Sequence, residues 1–170
     1  LITDFPYTGS AEITGSLGVT GSVSFSTEIT TVGAAVWSAG GALATGRRQL
    51  AGAGTQTAGL AFGGNPYSTN GTCTEEYNGA TWSTAGVGTL TTARIGLAGT
   101  GTQTAALAFK GAIPTTATCT EEYNGATWST ATPTNHAGRN LAAAGTQTAA
   151  LAVAGAGGGG NTEEYNGVTW

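Results

Sequence analysis

"TEEYNGATW" occupies residues 74–82, returns unchanged at 120–128, and returns once more at 162–170 as "TEEYNGVTW". Its centre decides how the chain folds. Asn-Gly between β-prone residues is the strongest short hairpin signal, because a type I′ turn needs two residues with positive φ. The stretch therefore reads as a strand, CTEEY (73–77), a turn at Asn78-Gly79, and a second short strand, ATW (80–82). In such a two-residue hairpin Tyr77 faces Ala80 and Glu75 faces Trp82. Alternation then places Glu75, Tyr77, Ala80 and Trp82 on one sheet face, and Thr74, Glu76 and Thr81 on the other.

Outward from this stretch the landmarks recur in fixed order. Trp37, Trp82, Trp128 and Trp170 are separated by 45, 46 and 42 residues. "GTQTA" stands at 54–58, 101–105 and 145–149, and Leu50, Leu97 and Leu141 each precede its Thr-Gln-Thr by five residues. An arginine falls shortly before each leucine: Arg47 or Arg48, Arg94, and Arg139. "LAGAG" (50–54) and "TAGLAF" (57–62) flank a tight turn at Thr55-Gln56, giving two more strands per unit. Length varies only after the Trp and between "LAF" or "LAV" and "TEEY", so those segments are loops. No stripe of period 3.6 and no capped start predicts a helix. Four short strands in about 45 residues is the pattern of a propeller blade, and the small residues of "LAGAG" suit an innermost strand crowded round the axis.

Composition agrees with thin β units. Only 8% of residues are charged and 30 of 170 are Gly, against roughly 25% charged in an ordinary soluble domain. The net charge is −4 with five Lys and Arg in total, which leaves no basic patch for a phosphate backbone and argues against a nucleic-acid partner. No run of 18 apolar residues predicts a membrane span. Cys73 and Cys119 stand at matching points of two repeats, where the third has Asn161. With a single histidine beside them a zinc site is poorly supported, and free, packed thiols are expected.

The order of Trp82, Leu90, Arg94, Leu97, TAALAF and EEYNGATW (121–128) resembles the kelch repeat, whose blades carry an apolar run ending in Gly-Gly, then a Tyr, then a Trp. The resemblance covers residues 37–170 as repeats at about 37–82, 82–128 and 128–170. The first repeat keeps the double glycine as Gly63-Gly64; the second has Lys110-Gly111 and the third Ala154-Gly155. It implies an all-β fold, a partial kelch-like β-propeller of about three four-stranded blades over 31–170. In that family the Gly-Gly, Tyr and Trp are structural, so the resemblance carries over no catalytic residue, cofactor or metal. Residues 1–30 differ: "TGS" recurs at 8–10, 14–16 and 20–22, and apolar residues alternate from Ala11 to Ile29. This reads as a Gly/Ser/Thr-rich fibre-like β segment, and "FPYTGSAEITGSLGVTGSVSF" (5–25) resembles fibre-like segments of tail and appendage proteins of marine tailed phages. The resemblance implies a non-enzymatic virion appendage protein, structural or binding a host-surface receptor such as a glycan, in contact with other virion proteins. The alternative is a cellular or secreted kelch-like protein–protein interaction module.

The residues that invite chemistry have architectural readings. Glu75-Glu76, Glu121-Glu122 and Glu163-Glu164 are adjacent in a strand and point to opposite faces, so no pair can flank one substrate bond. Their triplication also argues against an active site. Glu75 on the aromatic face needs a partner, and the repeat arginines are expected to pair with Glu75, Glu121 and Glu163 across blade interfaces. The tryptophans, Trp82 included, are expected in the blade core. "AGAGGGGN" (154–161) lacks the Gly-Lys-Ser/Thr ending of a phosphate loop, and His136 reads as a loop residue. Recognition is expected in the unequal loops 63–72, 110–118 and 154–160, with Asn65, Tyr67, Asn70 and Lys110 as the ligand-contact candidates. Three blades would leave long, weakly defended sheet edges. Either further blades follow Trp170, or the N-terminal strand and other copies of the chain close the edges; a hairpin strand ending at Trp170 with no "LAGAG" after it favours the first.

Overall fold

The turn residues cut Ser38–Trp170, one compact unit, into short strands. In the computed structural model, which describes residues 37–157 and 159–170, these strands form three antiparallel sheets and almost no helix. The expected fibre-like segment, 1–30, lies outside the described residues. Sheet 1 runs in the order β1 (Ala51–Gly54), β2 (Gly59–Phe62), β3 (Thr74–Tyr77), β4 (Trp82–Ser83). Sheet 2 consists of β5 (Ala98–Gly101), β6 (Ala106–Phe109), β9 (Thr120–Tyr123) and β10 (Trp128–Ala131). Its β6–β9 connection carries a small hairpin, β7 (Ala112–Ile113) and β8 (Thr115–Thr116). Sheet 3 has β11 (Ala142–Gly145), β12 (Ala150–Val153) and β13 (Thr162–Tyr165). The first strands of successive sheets lie against one another, β1 on β5 and β5 on β11.

Two turns differ from their sequence readings by a small shift in register. Thr55 pairs with Ala58, so the tight turn is Gln56-Thr57 and not Thr55-Gln56. In the second hairpin Tyr77 pairs with Trp82 and Glu76 with Ser83. The loop is therefore four residues long, Asn78 to Thr81, instead of two. The cause is the asparagine side chain: Asn78 Oδ1 accepts the amides of Ala80 at 3.0 Å and Thr81 at 2.9 Å, closing the loop from within as an Asx-turn does. Asn124 and Asn166 repeat the pattern. Glu75, Tyr77 and Trp82 stay on one face, but the residue opposite Trp82 is Tyr77.

The double-glycine slot explains which of its two positions can vary. Its first residue adopts a left-handed conformation in every repeat, with φ of 67° at Gly63, 58° at Lys110 and 57° at Ala154. A side chain there costs about 1–2 kcal/mol. The second residue has φ of 118°, 105° and 114° at Gly64, Gly111 and Gly155, a region closed to residues with a Cβ, and it is glycine each time. A second departure is a one-turn helix, Tyr67–Asn70, in a stretch where the sequence predicts a loop. Four residues set between Pro66 and Gly71 are too few to show a 3.6-residue period.

The core lies between sheets. Leu60, Phe62, Leu97, Ala106, Ala108, Tyr123 and Trp128 form one buried cluster, joining sheets 1 and 2. Ala98, Leu107, Phe109, Ala150, Ala152 and Tyr165 form the other, joining sheets 2 and 3. The small residues have a steric role here: a Cβ at Gly99 would run into the Phe62 ring.

Candidate functional site

Each sheet has two unlike faces, set by alternation. The forward face, toward the next sheet, carries Leu60, Phe62, Thr74 and Glu76 in sheet 1 and Leu107, Phe109, Thr120 and Glu122 in sheet 2. The rear face carries the first glutamate, the tyrosine and the tryptophan of the nine-residue stretch. Tyr123 donates its hydroxyl to Glu76 Oε1 at 2.9 Å, and Tyr165 donates to Glu122 Oε1 at 3.0 Å. Trp128 Nε1 donates to Thr74 Oγ1 at 3.0 Å, and Trp170 Nε1 to Thr120 Oγ1 at 3.1 Å. The indole rings meet the forward phenylalanines, with centroids 4.9 Å apart for Phe62–Trp128 and 4.7 Å for Phe109–Trp170. Gln103 Nε2 reaches back to the carbonyls of Gly59 and Tyr77, and Gln147 Nε2 to those of Ala106 and Tyr123. Burial, aided by the hydrogen bond to Glu122 and its charge, pushes the Tyr165 hydroxyl up to about 12. Tyr123 moves in the same direction for the same reasons, through Glu76.

The first glutamate of each pair does separate work. Glu75 is ion-paired with Arg47 and accepts the Ala44 amide. Glu121 takes Arg94 Nη2 at 2.8 Å and the Thr91 amide at 2.7 Å. Glu163 takes Lys110 Nζ at 2.7 Å and the Asn135 amide at 2.6 Å. All three carboxylates are buried, so the charges need these partners. The expectation that arginines bridge sheets is corrected in two ways. Arg47 and Arg94 come from the loop leading into their own sheet; Arg94 also donates to the carbonyls of Lys110 and Cys119. In the third repeat the arginine slot, three residues before Leu141, is Gly138, and Arg139 is exposed. The cation there crosses from sheet 2: Lys110. Burial alone would raise the Glu163 carboxyl, but the hydrogen bonds from Lys110 and the Asn135 amide outweigh it and hold it below the usual range. Burial lowers the Arg94 guanidinium despite the opposing pull of Glu121.

The ligand-contact candidates are not brought together. Lys110 is fully buried on Glu163, so its ammonium is not presented at the surface. Asn70 is buried in the one-turn helix. Asn65 is half-buried, its Oδ1 accepting the Tyr67 amide at 3.1 Å and its backbone bridging Arg48. Tyr67 is 36% exposed, beside exposed Pro66, Ser68 and Thr69. The three connections between second and third strands nevertheless share one end of the sheets, tied to the loops that lead into each sheet by the bridges Arg48–Asn65, Ile95–Ala112 and Arg139–Ala156. At this common station they take three unrelated forms: a helical turn, the β7–β8 hairpin, and a glycine-rich turn.

Cys73 and Cys119 are half-buried and unbridged, and Cys73 Sγ donates to the Thr69 carbonyl at 3.6 Å. His136, an exposed loop residue, holds Nδ1 3.7 Å from Glu163. Among the described residues no three His, Cys, Asp or Glu side chains converge, and no helix is long and apolar enough to cross a membrane. No family model matches the chain, and no curated protein is significantly similar to it.

Proposed function

We propose that the three sheets are blades of a kelch-like β-propeller, and that the chain is a non-enzymatic appendage protein of a virion, whose loop rim contacts a host-surface receptor or a neighbouring virion protein. The blade reading is supported by the first strands, which lie against one another from sheet to sheet while the hairpins that follow extend away from them. The observation that carries the functional reading is a division of labour. The repeated residues with chemical potential are engaged in architecture wherever two sheets meet: Glu76 and Glu122, Tyr123 and Tyr165, Trp128 and Trp170, and Gln103 and Gln147 hold sheets together, and the first glutamates are buried in ion pairs, whereas one station on the rim varies freely in form. Scaffolds that hold variable loops at one end are recognition scaffolds. Tyr67, projecting from the helical turn, is the aromatic a glycan or protein would meet first.

Antibodies raised against the chain test the assignment by electron microscopy of particles from a lysate of cells expressing the gene. Labelling at a particle's tail or surface is the expected result. Labelling confined to cells or to the secreted fraction would overturn it in favour of a cellular or secreted interaction module. Replacing residues 65–70 by the glycine-rich turn should then reduce particle adsorption to cells about tenfold or more if the rim carries receptor contact.

A further inference from the structure

Two faces lack a partner among the described residues, and they are the two halves of a contact made twice elsewhere in the same unit. The forward face of sheet 3 presents Ala144, Leu151, Val153, Thr162 and Glu164. Leu151 and Val153 are half-buried and the other three are exposed, whereas the matching Leu107, Phe109 and Thr120 of sheet 2 are buried. The rear face of sheet 1 presents Gln56, exposed, and Tyr77 and Trp82, half-buried, where the matching Tyr123 and Trp128 are buried. Tyr77 and Trp82 are already stacked on each other at 5.0 Å, the same distance as Tyr123 and Trp128. The inserting pair is thus preformed.

We propose that the forward face of sheet 3 docks the rear face of sheet 1 of a second copy of this chain. The contact repeats the one between sheets 2 and 3 position for position, with Val153 in place of Phe109 and Ala144 in place of Thr100, and without a counterpart of the Lys110–Glu163 pair. Tyr77 donates its hydroxyl to Glu164, as Tyr165 does to Glu122. Trp82 lies on Val153 and donates its N–H to Thr162, as Trp170 does with Phe109 and Thr120. Gln56 donates to the carbonyls of Ala150 and Tyr165, as Gln147 does to those of Ala106 and Tyr123. The receiving surface exists: Gly145, Ala150, Leu151, Glu164 and Tyr165 line an open hollow at that point of sheet 3. Residues 1–36 contain neither Trp nor Gln, so this set of side chains is not written in them. Donors stand on one face and acceptors on the other, so the contact is head-to-tail and cannot form between two like faces. For residues 1–170 by themselves, the stoichiometry rests on the propeller reading: rings hold about 4–8 blades, so two copies of these three sheets close a ring and three copies overfill it.

Sedimentation of the 170-residue chain over a concentration series tests both levels. The expected result is a reversible monomer–dimer equilibrium. Trp82→Ala should raise the dissociation constant about 30-fold or more, as for a central aromatic at an interface. Glu164→Lys should do the same; Glu164 is exposed, so this variant keeps its fold, as an unchanged melting curve will verify. A mixture of the two variants should associate again, since each retains the face the other lacks. A chain that stays monomeric, association indifferent to both substitutions, or a mixture that fails to associate would each overturn the proposal. Open chains longer than a dimer, dissolved by the same substitutions, would uphold the docking face and overturn the propeller reading alone.

Discussion

Tyr123 and Trp128 are buried, yet Tyr77 and Trp82, in an identical nine-residue stretch, are half exposed. Glu121 and Glu163 show the converse: both are buried carboxylates at matching positions, with the cation delivered by Arg94 in one repeat and by Lys110, from the neighbouring sheet, in the other. The first contrast teaches that burial belongs to the contact between sheets and not to the stretch itself. The second teaches that a buried carboxylate fixes the presence of a cation but not its address.

The largest expected effect breaks the second contrast. Lys110→Ala, which keeps a Cβ in the left-handed slot as Ala154 does, removes the cation and leaves Glu163 buried without it, which should destabilise by about 3–5 kcal/mol. Adding Gly138→Arg restores the address used in the other two repeats, and chemical denaturation of the double variant should recover most of the loss. No recovery would mean that Lys110 matters for something other than its charge. The first contrast is sharpened by two alanine substitutions. Trp128→Ala should cost ~3–5 kcal/mol as a buried aromatic, while Trp82→Ala at low concentration, where the chain is monomeric, should cost roughly half as much. Equal losses would show that the rear face of sheet 1 is covered.

Smaller effects follow from the tyrosines and the double-glycine slot. The Tyr165 hydroxyl is raised to about 12 from an ordinary 10.0. Burial first and the bond to Glu122 second favour the protonated hydroxyl, so its contribution is fully present below pH 10 and is lost as the pH climbs through about 12. Tyr165→Phe should cost about 1–2 kcal/mol at pH 7, and the gap between the two proteins should close across that alkaline window. A gap independent of pH up to 12 would mean that the hydroxyl is not the source. Ala154→Gly should stabilise by about 0.5–1 kcal/mol, because it relieves a left-handed alanine; calorimetry showing a loss would place an unrecognised contact on the Ala154 methyl group.

The repeat, its antiparallel strands (four in sheets 1 and 2, three and not the expected four in sheet 3) and the shared face of Glu75, Tyr77 and Trp82 were legible because each is written in local spacing. The hairpin register was not. Asn78 was read for its backbone preference, and its side chain, which closes a four-residue loop, decided the turn. The third ion pair was hidden more deeply. Counting back three residues from Leu141 finds Gly138 in the arginine slot, a signal that was present, but only the approach of sheet 2 to sheet 3 turns Lys110 into the substitute. The same approach removes Lys110 from the rim, where its place in the unequal loop 110–118 suggests a ligand contact. Asn70 left the rim because a helical turn folds it inward, and that turn is too short to announce itself.

The separation of donors and acceptors onto opposite faces has a consequence for how such a gene can change. Because every unit carries both halves of the contact, an in-frame tandem duplication inserts a copy whose Tyr, Trp and Gln find acceptors at once on the unit before it, and whose own acceptors meet the unit after it. The exception is the third unit, where Glu163 takes its cation from Lys110 of the unit before it, so an insertion or deletion at that junction also needs a cation supplied elsewhere, as Gly138→Arg would do. Unequal recombination between near-identical stretches can therefore lengthen or shorten the array at the other junctions without passing through a misfolded intermediate, while the loops between second and third strands, anchored to the next unit near their ends, diverge from copy to copy. Near-identity at 74–82, 120–128 and 162–170 beside three dissimilar loops is the pattern such a history leaves.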